Sequence, residues 1–193
     1  MTYSLSLAVF LLLAMSVAGL VHIAWLRSVQ TGVLLMPVDL GANYRGRRVF
    51  GDHKRLRGFI ALPIAAAGAF ALTAAFREHL PGPLADNLWD MSIQRYAWTG
   101  FAAGLGFMLA ELPNSFLKRQ LGVAPGRLPT TGLARIVCPL LDRFDSALGV
   151  LIAVSLLVPV PALTWLWVLL MGPGLHALFS IFLFWLGVKE RAL

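Results

Sequence analysis

The stretch SLSLAVFLLLAMSVAGLVHIAWL, residues 4–26, runs without one charged side chain, and about 20 apolar residues in a helix cross a hydrocarbon core. It has no basic flank ahead of it, is longer than a usual signal core, and closes on Trp25 and Arg27, so it reads as a retained helix. Four more such runs follow, at about 58–76, 96–113, 144–160 and 162–188, with Pro159 and Pro161 marking a tight turn before the last. The whole chain agrees. Of 193 residues, 59% are hydrophobic and 13% charged, where soluble domains run at about 45–50% and 25%. The expectation is an all-α, polytopic membrane protein: one domain over residues 1–193, a bundle of five transmembrane helices with two basic cytoplasmic loops. A single cysteine, Cys138, leaves no internal disulfide and no cysteine metal cluster.

Sixteen Lys and Arg against nine Asp and Glu give a net charge of +7, which in a soluble chain would suggest nucleic acid. Position argues otherwise. Segment 27–57 carries seven cations against Asp39 and Asp52, a net +5; segment 114–143 carries five against Asp142, a net +4. Between them, 77–95 holds Arg77 and Arg95 against Glu78, Asp86 and Asp90, a net −1. The positive-inside rule places both basic segments and the Lys189–Arg191 tail in the cytoplasm and the N-terminus outside, in a multi-pass cell-membrane protein. No nucleic-acid partner is expected.

The basic segments are patterned. In 37–58, glycines at 41, 46, 51 and 58 divide the cations into short units, with Asp39 and Asp52 among them. Glycine allows close backbone approach, which a loop around phosphate needs. A plain lipid-binding basic patch is the alternative. In the second segment, helical spacing places Glu111, Ser115, Lys118 and Arg119 on one face, and a carboxylate at the inner end of a span is a functional candidate. Its alternative is a snorkelling Glu111 paired with Lys118 or an arginine. Asp142 and Asp145 lie three apart at the expected start of the fourth helix, where they suit either Mg²⁺ with substrate phosphates or an N-cap. Gly100, Ala103 and Gly104 form a small-residue face, a seam for a homodimer or close packing inside the bundle. His176 and Ser180 share a face of the last helix and suit interhelical hydrogen bonding; His22 and His79 point to nothing specific. No serine triad, His/Cys metal cluster or P-loop is present. Cations, carboxylates and glycine-divided loops at one face suit phosphoryl or nucleotidyl transfer, which is mostly positioning and charge neutralisation. A bundle that binds anionic lipid or nucleotide and regulates a partner is the non-enzymatic alternative.

Three blocks carry a family resemblance. They are Pro37-Val38-Asp39 with Asn43 to Arg48 and Gly51 to Gly58; Ser115-Phe116-Leu117-Lys118-Arg119 with Leu141-Asp142-Arg143-Phe144-Asp145; and His176 with Leu186-Gly187-Val188-Lys189. Together the chain resembles the CDP-archaeol synthase family, integral-membrane CTP transferases related to CDP-diglyceride synthases. The resemblance implies transfer of CMP from CTP to a lipid phosphate, either an archaeal ether lipid phosphate or phosphatidate, with release of pyrophosphate. It also implies a polar cleft open to the cytoplasm and a need for Mg²⁺. On that basis Asp142 and Asp145 hold the metal with Glu111 as a third ligand. Lys54, Arg57, Lys118 and Arg119 neutralise the triphosphate, and Asn43, Arg48, Asp52 and Ser115 complete the nucleotide site. The chain departs from the family pattern at Ala110-Glu111, where Gly-Asp is frequent, and at Ser180, where Asn is common.

Overall fold

With no water to take up backbone hydrogen bonds, an apolar segment satisfies its own N–H and C=O groups as a helix. The computed structural model describes residues 2–28, 32–124, 127, 129 and 132–185. Its helices are α1 (Thr2–Ser28), α2 (Leu56–Ala75), a single turn α3 (Gly82–Ala85), α4 (Ile93–Gln120), α5 (Ala134–Ser155) and α6 (Ala162–Trp185). A two-residue hairpin, β1 (Asn43–Tyr44) with β2 (Arg47–Arg48), lies between α1 and α2. Among the described residues, three helices are long and apolar enough by themselves to cross a membrane: Tyr3–Ser28, Leu56–Ala75 and Ala162–Phe179. The other two long helices, α4 and α5, carry the polar residues and form the centre.

The centre is built backbone to backbone. A Cβ at Gly104 would lie 2.6 Å from the Pro63 Cα, and one at Gly100 would strike the Ala66 carbonyl and the Phe70 ring. The small-residue face of α4 is therefore spent on α2, inside the bundle. Gly106 and Gly149 would each strike the other's carbonyl if either gained a side chain, which sets α5 equally close. Such approach lets long stretches of helix meet in van der Waals contact without a hydrophobic driving force.

Two helices differ from expectation in their bounds. Helix α4 continues through Pro113 to Gln120 instead of stopping at 113, since a membrane helix tolerates proline when neighbouring groups take up the freed carbonyl. Its start is capped by Ser92, whose hydroxyl accepts from the Arg95 amide. Helix α5 begins at Ala134 and ends at Ser155, not 144 and 160, because Pro139 is absorbed within it. Asp142 and Asp145 thus sit roughly two to three turns inside α5. The N-cap reading of these aspartates fails.

The bundle ends differ. At one, Trp89 Nε1 donates to the Pro159 carbonyl at 2.9 Å, Thr164 Oγ1 to Ser4 at 3.0 Å and Ser6 Oγ to Pro83 at 2.8 Å. Phe10, Phe70, Trp89 and Tyr96 pack edge to face or tilted beneath them. The other end holds residues 32–58 against the last turns of α4, together with the first half of α5. Both basic segments therefore share one end, opposite the acidic connection 77–95. His176 and Ser180 lie on α6, but their side chains are outside the described residues, as are Leu186 to Lys189 and the tail.

Candidate active site

The first basic segment folds on Asp39. Its Oδ2 accepts from the amides of Phe50 (2.9 Å) and Gly51 (3.0 Å), and its Oδ1 from Gly41 N (3.1 Å) and Arg48 Nη2 (2.6 Å). Burial by itself would raise this carboxyl. The Arg48 guanidinium and the three amides outweigh it and hold Asp39 well below the usual carboxylate range. Arg48 bonds Asp52 as well, at 2.7 Å. At the hairpin tip Arg45 (φ 52°) and Gly46 (φ 76°) are both left-handed, as a tight primed turn requires. Gly41 and Gly51 also have positive φ, whereas Gly58 lies in α2 and lets Met108 and His22 pack closely. The two ends of the segment close on each other through Val38 N to Lys54 O (2.8 Å) and Leu56 N to Met36 O (3.0 Å). The interspersed carboxylates are thus what holds the cations in a fixed array.

The closed loop delivers Lys54 to Glu111 of α4, where they form an ion pair about one-fifth exposed on each side. About two helical turns on, Lys118 is ion-paired with Asp142 of α5, and Asn114 donates to the same carboxylate at 2.8 Å and to the Cys138 carbonyl at 3.1 Å. Glu111 and Lys118 therefore take different partners, not each other. Asp145 Oδ1 accepts from its neighbour Ser146, amide at 2.6 Å and hydroxyl at 3.1 Å, and lies within electrostatic range of Glu111 and Asp142. Arg57 donates to the Leu26 carbonyl at 3.3 Å. Arg119 is 8% exposed, and its Nε and Nη1 are buried without a hydrogen-bond partner. A buried guanidinium in that state is costly unless an anion joins it.

The sequence profile of the CarS-like family, described as CDP-archaeol synthase, matches residues 7–192. The chain belongs to the CDP-archaeol synthase family. Among its relatives, the CDP-archaeol synthase of Methanoculleus marisnigri is 30% identical over 80% of this chain and 87% of that protein. Those of Thermofilum pendens (28%; 90% of this chain, 74% of that one) and Aeropyrum pernix (34%; 62% and 56%) are similar too. A solved structure described as an intramembrane enzyme for archaeal membrane lipids biosynthesis aligns with TM-score 0.61 and 26% identity, covering 90% of this chain and 92% of that one. The CDP-archaeol synthase family consists of membrane enzymes, CTP-dependent cytidylyltransferases acting on lipid, and the non-enzymatic reading of the basic loops falls with that membership.

Against this family's chemistry, the site gathers Lys54, Glu111, Asn114, Lys118, Asp142 and Asp145 around α4 and α5. Ser115 lies on α4 between Glu111 and Lys118, and Asn43 stands apart on the exposed hairpin with its amide donating to Gly41 O at 3.0 Å. Sequence reasoning passed over Asn114, which its place four residues before Lys118 could have flagged. It assigned nothing specific to His22, whose buried Nε2 beside Gly58 has no partner among the described residues; nothing local in the sequence marks that packing. Among the described residues no three His, Cys, Asp or Glu side chains form a metal-binding group. The donor set fits Mg²⁺ in the mode that uses one or two carboxylates and completes its shell with substrate phosphate and water.

Proposed function

We propose that this protein transfers CMP from CTP to an archaeal ether lipid phosphate at the cytoplasmic face of the membrane, with all five long helices crossing it. The observation that carries the reading is the pairing of Lys54 with Glu111 and Lys118 with Asp142 at the basic end of the bundle. A triphosphate entering there meets two ammonium groups, already positioned by their carboxylate partners, and the unpaired Arg119 guanidinium. Positioning and charge neutralisation are what such chemistry needs.

A lipid phosphate oxygen attacks the α-phosphorus of CTP; the new P–O bond forms as the bond to the β-phosphate oxygen breaks, and pyrophosphate leaves. The nucleophile is already an anion, so no protein nucleophile or general base is required. Lys118 and Lys54 turn from their carboxylates to phosphate oxygens, and Arg119 takes up the charge that develops on the leaving pyrophosphate. Asp145 and Asp142, with Glu111 beside them, would hold Mg²⁺, which supplies Lewis-acid neutralisation of the phosphates. Asn114, bound to the Cys138 carbonyl, keeps the Asp142 carboxylate aimed. The names of the relatives favour the ether lipid, and the basic end of the bundle supports the cytoplasmic orientation.

Purified protein supplied with Mg²⁺, CTP and either an ether-linked isoprenoid lipid phosphate or phosphatidate tests this directly. CDP-lipid and pyrophosphate should appear in equal amounts with the ether lipid. Turnover with phosphatidate alone would overturn the acceptor assignment, and folded protein inactive with both would overturn the reaction.

A further inference from the structure

Between the hairpin and the last turn of α4 lies a cavity of about 480 Å³ lined by Tyr44, Arg45, Arg47, Phe116 and Gln120. The reaction outlined above uses none of these side chains. The cavity is built from both sides. Tyr44 meets Phe116 with ring centroids 5.8 Å apart and planes tilted by 49°, an open wedge instead of a closed stack. The Arg45 guanidinium lies 5.3 Å from the Tyr44 ring centroid. Arg47 donates to the Gln120 backbone carbonyl, and the Gln120 side-chain Nε2 donates to the Arg48 carbonyl at 3.3 Å.

That last bond sets the chemistry of the cavity. With one N–H of its amide bonded to the Arg48 carbonyl, Gln120 keeps its Oε1 as an acceptor, so the cavity pairs an aromatic wall with a hydrogen-bond acceptor. An aromatic surface takes up any nucleobase by stacking; an acceptor at the rim selects a base that carries an exocyclic amine. Cytosine has the N4 amine, and uracil has a carbonyl oxygen there that the acceptor repels. We infer that this cavity holds the base of the nucleotide, with Gln120 Oε1 accepting from the cytosine N4 amine. The inference rests on the CTP reading proposed above.

The placement around α4 is consistent with it. At about 100° per residue, Phe116 and Gln120 share one face, Asn114 and Lys118 lie on the opposite one, and Arg119 falls between them by way of Ser115. A nucleotide with its base on Tyr44 and Phe116 runs its triphosphate around the last turn of α4, past the unpaired Arg119, to Lys118 and Lys54. The hairpin then serves as the base-binding wall, which explains why the closed loop on Asp39 extends beyond the cations it delivers.

The test is steady-state turnover of wild type, Gln120→Ala, Gln120→Glu and Phe116→Leu with CTP and with UTP, alongside thermal melts in detergent to confirm folding. Wild type should prefer CTP, and Gln120→Ala should lower the CTP-to-UTP ratio of kcat/KM by about tenfold, the scale of one lost hydrogen bond. Gln120→Glu, which keeps acceptor oxygens, should retain the preference. Phe116→Leu should raise KM for both nucleotides by about tenfold or more with kcat little changed. A merely structural docking of the hairpin would not move the CTP-to-UTP ratio. Folded Gln120→Ala with the wild-type ratio overturns the base site while leaving the reaction standing; absence of CTP turnover in wild type overturns the reaction first, and the base site with it.

Discussion

Lys54 and Glu111, 57 residues apart in the chain, form the ion pair that fastens the first basic segment to α4. Through it the glycine-divided loop becomes part of the helix bundle, not a solvated tether, and one wall of the site is set. Removing one partner leaves a half-buried charge alone, whereas removing both does not. Lys54→Met and Glu111→Gln should therefore be non-additive, with a coupling of about 0.5–3 kcal/mol in a double-mutant cycle on thermal stability. Additive melts would show that the pair does not hold the loop.

The acid limb of stability should carry the signature of Asp39. A carboxyl held low contributes stability that is fully present above the unfolded value, about 3.9, and that is lost as pH falls through the lower folded value. Asp39→Asn should cost about 1.5–3 kcal/mol at neutral pH, the worth of hydrogen bonds to a charged group. The gap between wild type and variant should stay constant from pH 8 to pH 5 and narrow only in stronger acid. Melts across that range would refute the assignment if the gap closed near neutrality.

Arg119 offers a separation of stability from function. Its buried, unpartnered nitrogens are a burden on the free protein, so Arg119→Met should melt no lower than wild type. The same variant should bind CTP more weakly and turn over more slowly, by about a hundredfold, the scale of losing one placed donor to developing charge. Loss of the fold in Arg119→Met, as read by near-ultraviolet circular dichroism, would mark the arginine as structural.

Asp145→Asn keeps size and shape, and should lower kcat by at least about a hundredfold while leaving the melting temperature near that of wild type. Raising Mg²⁺ should not restore the rate. Near-normal turnover would remove Asp145 from the site.

The contact of α4 with α5 predicts a steric penalty. A methyl at Gly149 meets the Gly106 carbonyl and the Ala110 Cβ, and overpacking of this kind costs about 1–3 kcal/mol. Gly149→Ala should lower the melting temperature, whereas Gly68→Ala, where a Cβ meets nothing within 4 Å, should not. Equal melts for the two would contradict the backbone-to-backbone packing.

Much of this protein was legible in one dimension. The apolar runs announced a membrane helix bundle because the bilayer demands self-satisfied backbone over a known length, and the unequal charge of segments 27–57, 77–95 and 114–143 separated its two ends. The glycine-divided loop and the acidic pairs marked the candidate site, since those residue types suit phosphate and metal. Partner choice was decided only in three dimensions. Helical spacing put Glu111 and Lys118 on one face, yet Glu111 goes to Lys54 and Lys118 to Asp142, because α2 and α5 approach α4 from different sides through Gly104 and Gly106. The start of α5 at Ala134, the unpaired burial of Arg119 and the wedge of Tyr44 on Phe116 are likewise products of packing. A local pattern encodes which face of a helix is polar; which neighbour meets that face depends on how closely distant backbones can approach.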